Sequence, residues 1–173
     1  MRFAFGLVQW AIGASSLMVD VMSRAKRSAL MARISGKHTA PELKVRRLLW
    51  SAGYRYRLHR KIPSGRPDVI LASRRIAIFI HGCFWHGHKG CTYFRLPKTR
   101  PTFWASKLLA NRLRDRRSIR LTSKAGWRVA VVWECALRND VDQTGRLLVD
   151  WIESNSCSLE VLEKRGRVIH RSN

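Results

Sequence analysis

Arg75-Ile76-Ala77-Ile78-Phe79-Ile80-His81, followed by Gly82-Cys83-Phe84-Trp85-His86-Gly87-His88-Lys89-Gly90-Cys91, is the stretch on which the reading of this chain turns. Its first half is an unbroken apolar run ending in an imidazole. A strand covered on one face alternates apolar and polar residues. One without alternation is covered on both faces, as in a sheet packed between helices. The second half has no periodicity but crowds sulfur and imidazole donors, so it reads as a reactive loop at the mouth of a buried strand.

Outward from this strand the pattern keeps to α/β order. Asp68 to Leu71 predicts a short strand after a turn at Pro63-Ser64-Gly65, and Trp127 to Trp133 predicts a third, buried strand. Upstream, Thr39-Ala40-Pro41-Glu42 has the form of a capping box. It opens a helix with Val45, Leu48, Leu49 and Ala52 on one stripe, ended by Gly53. Tyr54 to Lys61 alternates basic with apolar or aromatic residues and reads as a strand or ribbon. Thr102 can cap a long basic helix from Phe103 to about Lys124, which Gly126 ends. Thr144 to Ser154, with Leu147, Leu148, Trp151 and Ile152 on one side, predicts a closing helix. The order makes one α/β domain.

The composition narrows the function. Lys and Arg number 34 against 11 Asp and Glu, a net charge of +23 on 173 residues. Such a charge argues against an ordinary small-molecule enzyme and for a polyanionic partner, nucleic acid first. Seven Trp and 46% hydrophobic residues argue against disorder. The four cysteines are too few for a disulfide-stapled secreted domain, and three lie near histidines, which points to reduced thiols in the cytoplasm. Residues 1–20 read as an extension without function: Phe3 to Met18 imitates a signal peptide but is shorter than a membrane span of ~20 residues. Residues 21–38 form a basic arm, with Arg24, Lys26, Arg27 and Lys37 placed to clamp a phosphate backbone; 39–157 form the domain and 158–173 a tail.

Several residues carry chemistry. Cys83, His86, His88, Cys91 and Cys135 offer five donors where a structural tetrahedral zinc needs four. Cys83, His88, Cys91 and Cys135 make one plausible set, which would release His86. Cys157 reads as a free thiol. Asp68 follows Pro67 at the mouth of a strand, where it is either a turn former or a carboxylate for a hard divalent cation, with a carbonyl near Ile80 as a second oxygen. A histidine at 81 or 86 could serve as general base near neutral pH. Asn111 and Asp115 stand on one face of the long helix with Trp104 and Leu108, and intrahelical pairing with a neighbouring Arg is the plainer role for Asp115. Phe84-Trp85 and Phe103-Trp104 are either packing under the loop or wedges that unstack DNA.

His81-Gly82-Cys83-Phe84-Trp85-His86-Gly87-His88, Gly65-Arg66-Pro67-Asp68 and Val132-Trp133-Glu134-Cys135-Ala136-Leu137-Arg138 together resemble the very-short-patch repair (Vsr) DNA mismatch endonucleases. The resemblance implies a restriction-endonuclease-like three-layer α/β/α core with a mixed central sheet and a structural zinc site. It also implies a Mg²⁺-dependent, strand-specific nick in double-stranded DNA, 5′ to the thymine of a T·G mismatch left by 5-methylcytosine deamination. By that resemblance Asp68 ligates Mg²⁺ with the main-chain oxygen of Ile80, and His86 is the general base. His81 and Asp115 support the attacking water, and Glu42 joins the active site. Cys83, His88, Cys91 and Cys135 hold zinc, and Phe84, Trp85 and Trp104 wedge the DNA beside the mismatch, with Asn111 also facing DNA. A cytoplasmic monomer follows, on the nucleoid when bound, without a membrane and with mismatch-repair proteins as possible partners. Two alternatives share the motifs: a non-catalytic zinc-containing binder of distorted DNA, and a nuclease of the same fold with another target.

Overall fold

The structure, a computed structural model, describes residues 36–62 and 65–172. Arg24, Lys26 and Arg27 of the basic arm, the extension at 1–20, and Pro63 and Ser64 of the turn lie outside the described residues. Ile62 and Gly65 pair across that turn through N–H···O bonds of 2.9 and 3.1 Å.

Helix α1 (Ala40–Ser51) begins where expected. The Glu42 carboxylate reaches back to the Thr39 N–H and hydroxyl at 3.4 and 2.9 Å, which satisfies a donor the first turn leaves open. Strand β1 (Arg57–Leu58) is all that remains of the expected ribbon. Strands β2 (Val69–Leu71), β3 (Ile76–His81) and β4 (Arg128–Trp133) follow, with the long helix α2 (Pro101–Lys124) between the last two. Helix α2 starts at Pro101 behind Arg100, not behind Thr102: proline has no N–H to leave unpaired in a first turn, and its fixed φ suits that position.

β4 runs into a short helix α3 (Glu134–Asn139), then α4 (Val141–Glu153), strand β5 (Ser158–Lys164) and strand β6 (Arg167–Ser172). Residues 158–173, expected as a tail, thus contribute two strands to the sheet. Leu159, Val161, Leu162 and Val168 are buried, and Arg165 and Gly166, both at positive φ, make the hairpin turn. Arginine in a position that favours Asn or Gly hid that turn in the sequence.

The six strands stand in chain order; β3–β4 and β4–β5 are parallel and the other pairs antiparallel. The sheet is therefore mixed, as expected. On one face Ile76, Ile78 and Ile80 pack with Val45 and Leu49 of α1 and Leu148, Trp151 and Ile152 of α4. On the other, Ala77 and Phe79 meet Ile119 of α2. Helices on both faces explain why β3 is buried along its whole length without alternation. Gly145 of α4 allows the close approach of α1: a Cβ there would stand 2.8 Å from Leu48 Cδ2. Among the described residues no helix is long and apolar enough to cross a membrane.

Candidate active site and metal cluster

Parallel pairing of β3 with β4 sets His81 opposite Trp133, so both strands end side by side. The segments that follow them, the 82–100 loop and Glu134-Cys135, therefore converge. This brings together Cys83, His88, Cys91 and Cys135, whose ligand atoms all lie within 4.8 Å of one another. The Cys83 and Cys135 sulfurs stand 3.6 and 3.5 Å from His88 Nδ1. A sulfur at ~2.3 Å and a nitrogen at ~2.0–2.1 Å from one tetrahedral zinc would lie about 3.6 Å apart, so the donors fit that ion. The thiols argue the same way. The bond from Cys83 pushes Cys135 down to about 4, against the effect of burial, while that same bond and burial push Cys83 up. Burial also pushes Cys91 up. Three thiol sulfurs and one imidazole, the donor types zinc takes, converge on one point. Glu163 of β5 donates its N–H to the Cys135 sulfur at 3.3 Å, and Leu162 and Ile169 pack on the cluster. The supposed tail is its outer wall.

His86 does not join that cluster. Its Nδ1 lies 2.6 Å from Asp115 Oδ2 on α2, in place of the plainer intrahelical pairing. An ionised carboxylate only accepts, so in the neutral ring Nδ1 carries the proton and Nε2 the lone pair. His81 stacks flat on the His86 ring at 4.0 Å and 7°. Burial, aided by His86, pushes His81 down to about 3, so it is a neutral support for its neighbour near neutral pH.

Asp68 lies on the adjacent strand edge. Its Oδ2 accepts the Ile80 N–H at 2.7 Å. Ile78 pairs with β2, and by the two-residue period Ile80 turns its N–H and C=O to the same edge, beyond the end of β2. The Ile80 carbonyl and Asp68 carboxylate are thus hard oxygen donors of the kind magnesium takes. Burial pushes Asp68 up to about 6, partly opposed by the Ile80 bond.

Glu42 is buried, and Arg46 Nη2 donates to its Oε2 at 2.7 Å. Removing one partner of such a buried pair typically costs about 3–5 kcal/mol. His59 completes the group: Glu42, His59 and Asp68 bring ligand atoms within 4.8 Å. Sequence reasoning passed over Arg46 and His59. The i,i+4 spacing of Glu42 and Arg46 signals their pair; His59 lies in an irregular ribbon where no spacing announces it.

The aromatic residues form one cluster. Phe84 meets Trp85 and Trp104 at 5.1 and 5.4 Å between ring centroids, with Trp85 and Trp104 at 6.1 Å. Phe103 extends it and is 44% exposed, and the Lys107 ammonium stands 5.4 Å from the Trp104 ring centroid. Asn111 donates its amide to the Trp85 carbonyl at 3.0 Å and ties the loop to α2. Lys37 is exposed.

Carboxylates and an imidazole thus gather at strand ends, beside aromatic rings and an arginine-rich helix, a donor set suited to phosphodiester chemistry, and the relatives of the chain are DNA endonucleases. The family model "DNA mismatch endonuclease Vsr" matches residues 19–92. The type II nicking enzyme V.XorIIP of Xanthomonas oryzae pv. oryzae is 52% identical over 120 residues, 69% of this chain and 88% of that protein. The DNA mismatch endonuclease Vsr of Escherichia coli (strain K12) is 41% identical over 140 residues, 81% of this chain and 89% of that one. Among solved structures, the homing endonuclease I-Bth0305I catalytic domain is similar at a TM-score of 0.44 and 18% identity, over 67% of this chain and 99% of that one. The chain belongs to the Vsr family of DNA mismatch endonucleases.

Proposed function

We propose that this endonuclease makes a Mg²⁺-dependent nick 5′ to the thymine of a T·G mismatch in double-stranded DNA, and so starts very short patch repair. The observation that supports this most is the pairing of His86 with Asp115 at 2.6 Å beside an Asp68 carboxylate fastened to Ile80 at 2.7 Å. A bound Mg²⁺ supplies Lewis-acid polarisation of the phosphate. Asp68 and the Ile80 carbonyl are the groups to hold it. His86 Nε2 takes the proton of the attacking water, and Asp115 holds the imidazolium that results. His81 fixes the plane of the His86 ring, and Glu42 keeps Arg46 and His59 beside Asp68. Cys83, His88, Cys91 and Cys135 hold a structural Zn²⁺ that braces the loop.

Phe84, Trp85 and Trp104 are the wedge. Unstacking a base step costs a few kcal/mol, and least where the pair is already mismatched. A monomer suffices, since one site cuts one strand; mismatch-repair proteins are candidate partners, and the nucleoid is the place of action. Incubation with T·G and T·A duplexes, each with Mg²⁺ or a chelator, tests the reading. Nicking of the thymine strand confined to T·G with Mg²⁺ is expected; equal cutting of T·A, or cutting with chelator, overturns it.

Arg24, Lys26, Arg27 and Lys37 add phosphate contacts in this reading. Through these four contacts alone, duplex affinity is therefore expected to fall by about 10²-fold between 50 and 200 mM salt. Fluorescence anisotropy across that range measures it, and a shallow dependence would remove the basic arm from the interface.

A further inference from the structure

His59 has no task in the catalytic steps above, yet its two ring nitrogens face different charges. Nε2 lies 3.0 Å from Arg46 Nη2, and Nδ1 lies 4.0 Å from Asp68 Oδ1. A guanidinium only donates. The His59 Nε2 beside it must therefore carry a lone pair, which puts the proton of the neutral ring on Nδ1, toward Asp68. The opposite tautomer would set two N–H groups against each other at 3.0 Å in exchange for a 3.4 Å approach to Glu42 Oε2. Arg46 donates to Glu42 as well as to His59, so the lone pairs of Glu42 and His59 that face it are engaged.

We propose that His59 is a positioning residue for Asp68: Arg46 fixes its tautomer, and its Nδ1–H steers Oδ1 while the Ile80 N–H steers Oδ2. The carboxylate is thereby presented to the divalent cation in one orientation. At 4.0 Å the action of Nδ1–H on Oδ1 is electrostatic, without a formed hydrogen bond. The inference rests on Asp68 being a metal ligand, as proposed above. Groups that orient a ligand typically govern about 10–100-fold in metal affinity.

The test is Mn²⁺ binding, followed by calorimetry, to the protein complexed with a duplex already nicked at the expected bond, so that no turnover intervenes. H59A is expected to bind Mn²⁺ at least about ten-fold more weakly than the unaltered chain. H59Q keeps one acceptor for Arg46 and one N–H for Asp68, and is expected to recover most of that loss. Should H59A not fold, H59M, of similar length but without an N–H, takes its place. Unchanged affinity in H59A, or H59Q binding as weakly as H59A, overturns the role of His59. D68N separates the two ideas: Mn²⁺ binding that persists in D68N refutes the metal-ligand reading, whereas its loss in D68N with full binding in H59A refutes the positioning role alone.

Discussion

H86A is expected to lower the nicking rate on a T·G duplex by about 10²–10⁴-fold, the usual contribution of a general base. Duplex affinity should stay near that of the unaltered chain. The reason lies in the atoms that remain. Asp68, Ile80 and the aromatic cluster are untouched, so binding and metal capture persist, but no lone pair faces the water. The Asp115 carboxylate also loses its partner, which cannot restore activity because that carboxylate approaches from the far side of the ring at Nδ1. Single-turnover nicking at saturating protein, with anisotropy for binding, measures the two effects separately. Retained turnover would remove His86 from the base position and leave His81, held neutral by burial, as the other imidazole to test.

C135A is expected to cost stability rather than chemistry alone. Cys135 is buried where β4 passes into α3, and it touches both Cys83 and His88 of the 82–100 loop as well as the Glu163 N–H of β5. Loss of a structural metal ranks with the largest single-site effects, about 4–5 kcal/mol or more. For a chain of this size, at ~2–4 °C per kcal/mol, the melting temperature falls by roughly 10–15 °C. Calorimetric melting and a chelator-based zinc assay on the purified variant measure this. Full metal content with unchanged melting would show that Cys135 is not a ligand. C157A is the control: Cys157 is exposed and stands apart from the cluster, so no comparable loss is expected.

The central elements were legible because their residues answer to one dominant requirement. The Ile76–Ile80 run has to be buried on both faces, and that dictates a sheet between helices. Three of the four cluster residues announce themselves by donor type, since sulfur and imidazole rarely crowd one loop otherwise, and Cys135 joins them from the end of the neighbouring strand. Asp115 was less legible. On sequence alone its neighbours are arginines, and only the fold brings His86 across to it from a loop 29 residues away. The contact of Asn111 was hidden for the same reason: its partner is a main-chain carbonyl, and no residue type advertises one. The β5–β6 hairpin was hidden by its charges, because a solvent-facing edge rich in Lys and Arg looks like a tail until its inward Leu159, Val161 and Val168 are counted together. His59 depends on a tautomer, which follows from a neighbouring guanidinium and from nothing in linear spacing.

Trp133 touches both halves of the machinery. Its indole lies flat against the His88 ring at 4.0 Å and meets His81 and His86 edge-on at 5.1 and 6.5 Å. If, as proposed, those donors hold a metal and His86 is the base, loss of the metal frees the His88 ring and with it one side of the Trp133 stack that also flanks His86.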